Sequence, residues 1–293
     1  VRIIVPYTVG GTIDALARVV GQKMGESLGR PFLAEMRPGA GAAIGAELVA
    51  RAAPAGHVLL MASPGSTTIN MVMNSKLPYD PLKDFAPISM VATLAFVLAV
   101  HPSVPASSVK VLIALARRQP GRLNYGSSGN GSAAHLAGEL FNSMAGVTLT
   151  HIPYKGSGPA VTDLTGGQID MYFGGISLLL PVVKSGRLKA LGMTTAKRSS
   201  YAPDMPTLAE SGLPGFEAGT WYGLMAPAGT PRDIIARANA EVHRSLTATS
   251  VKEFLASQGL DATAGTPEQF AAGMRAEVES VSKVVKSASV AVQ

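Results

Sequence analysis

The sequence predicts an α/β protein of two lobes around a central cleft, and three observations predict it. Short β-rich runs alternate with glycine-bearing turns and amphipathic helical stretches along nearly the whole chain, the pattern of a parallel sheet with helices on both faces. Of the 293 residues, 47% are hydrophobic and 15% charged, a balance that builds cores and argues against disordered tails or charged coiled coils. The length corresponds to about two domains of roughly 150 residues.

The first set of units starts with a strand over Arg2–Tyr7 and the turn Val9-Gly10-Gly11-Thr12. A helix follows from about Asp14 to Leu28, where Leu16, Val19, Val20 and Met24 recur at three-to-four spacing and Gly29 ends the run. Next come a strand at Phe32–Met36, the glycine-rich turn PGAGAAIG, a helix over Ile44–Ala53 and a strand over His57–Ala62. The second set comprises strand Ile88–Val100, helix Ser108–Arg118, strand Leu123–Gly126, helix Ser132–Met144 and strand Val147–Tyr154. It continues with helix Pro159–Thr165, strand Ile169–Gly174, helix Leu178–Lys184 and strand Leu188–Thr194. Beyond the polar stretch 199–206, a strand at Thr220–Ala226 returns to the first half, and three helices close the chain at about 231–247, 250–258 and 267–287. This order assigns residues 1–98 and 222–293 to one domain and 99–221 to the other. Ligands of open parallel sheets sit at the carboxyl ends of strands, so the cleft between the halves is the expected site.

Several function classes are excluded early. The longest nearly unbroken apolar run, Met90–Val100, is too short against the about 20 residues a membrane span needs. With no cysteine, thiol catalysis, thiolate metal sites and disulfides are absent. The net charge is +6, but the basic residues are dispersed and form no nucleic-acid stripe. A positive balance suits anionic small ligands. The chain begins at Val1, which allows a removed export signal.

Three turns place glycine and hydroxyl residues directly before a helix: Val9-Gly10-Gly11-Thr12, Ser127-Ser128-Gly129-Asn130-Gly131-Ser132, and Gly156-Ser157-Gly158. Glycine lets backbone N–H groups approach a ligand, and the unpaired donors of a first helical turn add the helix dipole. Such a turn binds an anion without a lysine; the plainer alternative is that Gly and Ser cap helices in tight connections. Nucleotide motifs fail. Gly126 and Gly131 have P-loop spacing, but Ser132 stands where lysine is required. Gly39-Ala40-Gly41 with Gly45 mimics a dinucleotide turn, yet the next strand ends at Ala62-Ser63 with no acidic residue for a ribose. Catalytic motifs are equally thin: no nucleophile elbow, no HExxH and no metal-spaced histidines. Ser132 and His135 are one helical turn apart, so a Ser–His pair competes with a cap and a loop support, and the cap is favoured for want of a third member. Asp14 reads first as a helix cap. Trp221-Tyr222 reads first as core, with a cleft wall as the alternative.

The segments VPYTVGGTIDALAR (5–18), RPGAGAAIGAE (37–47), LPYDPLKDFAPIS (77–89), LNYGSSGNGSAAHLAGELF (123–141), HIPYKGSGPAVTDLTGGQID (151–170) and PAGTPRDI (227–234) together resemble the periplasmic substrate-binding receptors of tripartite tricarboxylate transporters, the Bug receptors. The resemblance implies a type II periplasmic-binding-protein fold, two α/β domains closing on a small organic carboxylate. It implies a membrane transporter or sensor as partner, a periplasmic location, a monomer, and neither cofactor nor metal nor catalytic residue. Tyr7, Gly10, Gly11, Thr12 and Asp14 would bind ligand from the first domain, and Ser128, Gly129, Asn130, Ser132 and His135 from the second. Val9, Ser63, Phe173 and Gly174 complete the expected contacts. Four departures stand out: Val9 replaces a common proline, and Met36, Ala42 and Ala43 replace Asn, Gly and Asn. Tyr172-Phe173-Gly174-Gly175 also stands where relatives often have an Asp-Asn pair, so an amino-acid ligand is not expected. Two rivals remain, an enzyme acting on a small carboxylate through Ser132, His135 or Asp14, and the effector domain of a transcription regulator.

Overall fold

A computed structural model describes residues 1–199 and 201–287. Ser200, in the polar stretch 199–206, lies outside the described residues. Strand β1 (Arg2–Val5) leads into α1 (Thr12–Leu28), β2 (Leu33–Met36), α2 (Ala43–Ala50), β3 (Val58–Ala62) and α3 (Thr68–Met73). Then β4 (Phe85–Val100), α4 (Val109–Arg118), β5 (Asn124–Ser127), α5 (Ala133–Ala145), β6 (Thr150–Pro153) and α6 (Ser157–Thr165) follow. The chain continues through β7 (Met171–Gly175), α7 (Ile176–Lys184), β8 (Lys189–Met193) and β9 (Gly219–Pro227). It ends with α8 (Arg232–Thr247), α9 (Thr249–Ser257), β10 (Leu260–Ala262) and α10 (Pro267–Ser287). No described helix is long and apolar enough to cross a membrane.

Period-2 burial decides which of two apolar layers each side chain of β1 joins. Along β1, Ile3 and Val5 join one apolar layer with Leu16, Val20 and Met24 of α1. Ile4 points the other way, into a second layer with Ala46 and Val49 of α2 and with Phe270 and Met274 of α10. Burying each such Leu, Val or Met side chain contributes about 1.5–3 kcal/mol, which is what anchors α1 and the turn in front of it.

The strands run β2-β1-β3-β9-β4-β7-β5-β6, with β8 and β10 also paired to β4. β1 is parallel to β2 and β3, and β5 is parallel to β6 and β7. The sheet is nevertheless mixed, not wholly parallel as the alternation predicted: β9 is antiparallel to β3 and β4, and β4 is antiparallel to β7. The long strand β4 serves both halves. Its residues Phe85–Ala95 pair with β9, whereas Phe96–Val100 pair with β7 and β8. Two strands thus join two three-stranded parallel units, and the carboxyl ends of both units meet over the junction.

Candidate functional site

The geometry follows from where strands stop and helices start. β1 of one parallel unit and β5, β6 and β7 of the other run in opposite directions and each release the chain into a helix where the two units meet. A cavity lies there, lined by the first turns of four helices. Gly11, Thr12 and Ile13 come from α1, Ala133 and Ala134 from α5, Ser157 from α6, and Gly175 with Leu178 from α7. The first N–H groups of each helix have no intrahelical acceptor and carry the positive end of its dipole. Hydroxyls surround them: Tyr7, Thr8, Ser63, Ser128, Tyr172, Thr220 and Tyr222 line the same space. Among the described residues no Asp, Glu, Lys, Arg or His lines it.

The polar side chains of the cavity wall are all neutral. Tyr7 Oη and Ser63 Oγ are hydrogen-bonded at 3.0 Å. Burial pushes the Tyr7 phenol up to about 12, with the Ser63 bond opposing slightly, and burial likewise pushes Tyr172 up to about 12. Both remain protonated hydroxyls at neutral pH. Thr12 is 5% exposed, and its Oγ1 is buried with no hydrogen-bond partner among the described residues. A buried hydroxyl left unpaired costs about 1–3 kcal/mol, so an acceptor supplied from within the cavity would be stabilised there.

The two lobes touch at the cavity's rim. Thr8 N–H donates to the Lys155 carbonyl at 3.3 Å. A Cβ on Gly156, whose φ is +149°, would lie 2.5 Å from Thr8 Oγ1, so only glycine permits this approach. On the other side a Cβ on Gly65 would lie 2.5 Å from Tyr7 Oη and 3.1 Å from Ser132 Cα.

Of the residues singled out from the sequence, Tyr7, Gly11, Thr12, Ser63 and Ser128 come together on the cavity wall. Asp14 sits one step behind: its Oδ2 accepts Gly10 N–H at 3.1 Å and its Oδ1 accepts Arg18 Nε at 2.7 Å, which holds the turn. Val9 projects outward at 67% exposure. Asn130 and His135 line a neighbouring pocket with Gly131, Gly41 and Asn70, and a Cβ on Gly129 would lie 3.1 Å from the Tyr154 carbonyl and 3.6 Å from Gly41 Cα. Ser132 caps α5, its Oγ accepting His135 N–H at 3.2 Å. The His135 ring bonds elsewhere: its Nδ1 accepts Gly131 N–H at 3.1 Å. The pair is therefore a cap and a loop support, without nucleophile geometry. Phe173 is fully buried and packs on Phe141 and Phe216 at ring distances of 5.8 and 6.3 Å, and Gly174 lies buried beside it in β7.

Reading the residues one by one missed Thr8, Ile13, Leu94, Phe96, Ala133, Ala134, Gly175, Leu178 and Thr220 as wall residues. Ala133 and Ala134 were inferable, since they follow the Ser132 cap and so present the first N–H groups of α5. Tyr222 and Trp221 divide: Tyr222 lines the cavity, whereas Trp221 packs edge-on against Phe270 and donates Nε1–H to Glu277 at 2.8 Å. Among the described residues no group of acidic, His or Cys side chains is placed to hold a metal.

Two α/β lobes meeting over a neutral cavity, with helix N-termini aimed into it, define a cleft-type binding protein. The sequence profile described as "Tripartite tricarboxylate transporter family receptor" matches residues 16–290, and the chain belongs to that family of solute-binding receptors. It is similar to Protein BugT of Bordetella pertussis, 36% identical over 287 residues covering 98% of this chain and 88% of BugT. Among solved structures it resembles R. palustris Rpa4515 with adipate, at a TM-score of 0.95 and 36% identity over 99% of this chain and 97% of that one. It also resembles MatC from Rhodopseudomonas palustris with bound malate, at a TM-score of 0.92 and 33% identity over 97% and 98% of the two chains.

Proposed function

We propose that this receptor captures one small organic carboxylate in the periplasm by closing its two lobes over the cavity. It would then deliver the acid to the membrane subunits of a tripartite transporter or report occupancy to a sensor. The observation that carries the reading is the convergence of four helix N-termini and an unpartnered Thr12 hydroxyl on a cavity with no ionised side chain. A carboxylate satisfies the donors and is favoured by each dipole, while an ammonium group would meet positive helix ends and no acid. Amino acids are therefore poor ligands. The relatives with adipate and malate are consistent with this class.

In this reading the 1–98/222–293 and 99–221 segments move as bodies about the β4 and β9 crossings, and the receptor works as a monomer. Tyr7, Gly10, Gly11, Thr12 and Ser63 hold the acid from one side. Ser128, with the α5 turn from Gly129 to Ser132, meets it from the other, and Asp14 and His135 brace the two turns. Catalysis by Ser132 and His135 is disfavoured because the ring does not reach the hydroxyl.

Titration calorimetry and thermal shift against mono-, di- and tricarboxylates, aromatic acids and amino acids test the proposal. A ligand at 100 times its dissociation constant adds about 2.7 kcal/mol of stability and is recovered chemically unchanged. No response from any acid, after unfolding and refolding to strip a retained ligand, would refute the receptor reading. Turnover would favour the enzyme.

A further inference from the structure

The cavity wall is chemically divided. Its hydroxyls come mostly from the turns at strand ends, namely Tyr7, Thr8, Thr12, Ser63, Ser128 and Ser157. The junction between the lobes supplies Leu94 and Phe96 of β4 and Leu178 of α7. Leu94 and Phe96 are two residues apart and so share one face of β4; they straddle the point where its pairing passes from β9 to β7. Gly175 pairs opposite Phe96, and a Cβ there would lie 2.7 Å from Leu94 Cδ2, so the bare glycine leaves these hydrocarbon groups facing the cavity. Thr220, paired with Leu94, and Tyr222 are the polar neighbours of this patch. The Thr220 hydroxyl donates to the adjacent Trp221 carbonyl at 3.5 Å.

We infer that Leu94, Phe96 and Leu178 determine specificity: they select a carboxylate with an unsubstituted hydrocarbon chain or ring over a short, hydroxyl-rich acid. This rests on the receptor reading above. The anionic end occupies the helix N-termini near the unpartnered Thr12 hydroxyl, and the carbon body covers Leu94, Phe96 and Leu178. A hydroxyl or further carboxylate on that body faces a leucine–phenylalanine surface and loses water there without full replacement. Apolar pockets discriminate by about 10–100-fold per such group, and burial of the chain gives binding a negative heat-capacity change.

The test is calorimetry with hexanoate, cyclohexanecarboxylate and benzoate against malate and citrate, on the wild type and on Leu178→Ser and Leu94→Thr. At least one of the first three acids should bind about 10-fold or more tightly than malate and citrate. Leu178→Ser should erase most of that ratio by weakening the hydrocarbon acid far more than malate. Leu94→Thr repeats the test should the first variant not fold. Malate or citrate binding as tightly as every hydrocarbon acid would overturn the specificity inference and leave the receptor standing, as would an equal loss for both classes in the variants. Binding of none would bring down the receptor reading itself.

Discussion

The two turns that face each other across the cavity are built in opposite ways. The turn before α5 is tied down from within. Ser127 Oγ is hydrogen-bonded to Gly129 N, to Gly129 O and to His151 Nε2 at 3.1, 3.0 and 2.6 Å. His135 Nδ1 holds Gly131 N–H, and the two imidazoles stack at 3.8 Å. The turn before α1 has one internal brace, Asp14 accepting Gly10 N–H, with Val9 in solvent. The second-lobe turn is thus shaped before ligand arrives, and the first-lobe turn is the compliant partner. Pre-organisation lowers the entropy cost of binding, so the same kind of change should have unequal effects on the two turns.

The largest expected effect is on pH dependence, because the rigid turn relies on two neutral histidines. Burial lowers His135 to about 4; burial, together with the His135 ring, lowers His151 to about 3. An unfolded histidine takes up its proton near 6.5, so between there and about pH 4 the unfolded chain binds protons that the folded chain refuses. The stabilisation is complete above pH 6.5 and is lost as pH falls, by up to about 1.4 kcal/mol per pH unit for each ring. Urea midpoints should change little from about pH 7.5 to 6.5 and fall from about pH 6.5 through 5.5 to 4.5 in the wild type, about half as steeply in His151→Phe. Equal slopes would mean that the stacked pair is not what holds this turn neutral.

Removal of the hub hydroxyl comes next. Ser127→Ala leaves Gly129 N–H and His151 Nε2 buried without a partner, costing about 1–3 kcal/mol, and should loosen Ser128 and the α5 N-terminus together. Chemical denaturation should show the loss, and calorimetry on the folded variant a weaker affinity for whichever acid binds. Unchanged stability would show that the network merely accompanies the turn's shape.

The same contrast explains what the sequence disclosed. α1 was legible because Leu16, Val20 and Met24 repeat on one face, and the turns were legible because glycine and serine cluster before each helix. The switch of pairing within β4 was not, since a strand buried on both faces reads as one apolar run whichever strands flank it. For that reason Leu94 and Phe96, which border both the core and the cavity, look the same in sequence as Leu98 and Val100, which border the core and do not line that cavity. The short helix α3 and the three-residue β10 were also missed. Thr68, Asn70 and the threonines nearby suggest a loop, and their burial depends on α10, more than 190 residues away, where Glu277 Oε2 accepts the Thr68 hydroxyl at 2.6 Å.

The smallest effect bears on the compliant turn and is favourable. Gly10, at φ +91°, follows Val9 as the second central residue of a turn, and φ > 0 there is the type II pattern, whose first central position favours proline. Val9 is exposed and its N–H makes no hydrogen bond among the described residues, so Val9→Pro loses no contact. Proline at a compatible site removes freedom from the flexible state and contributes about 0.4–1 kcal/mol. If the first turn pays an ordering cost on closure, that gain should appear as roughly two- to five-fold tighter binding, with a small rise in melting temperature. The same affinity with a higher melting temperature would mean that the first turn is already ordered before ligand arrives, and the contrast between the two turns would then be one of exposure alone.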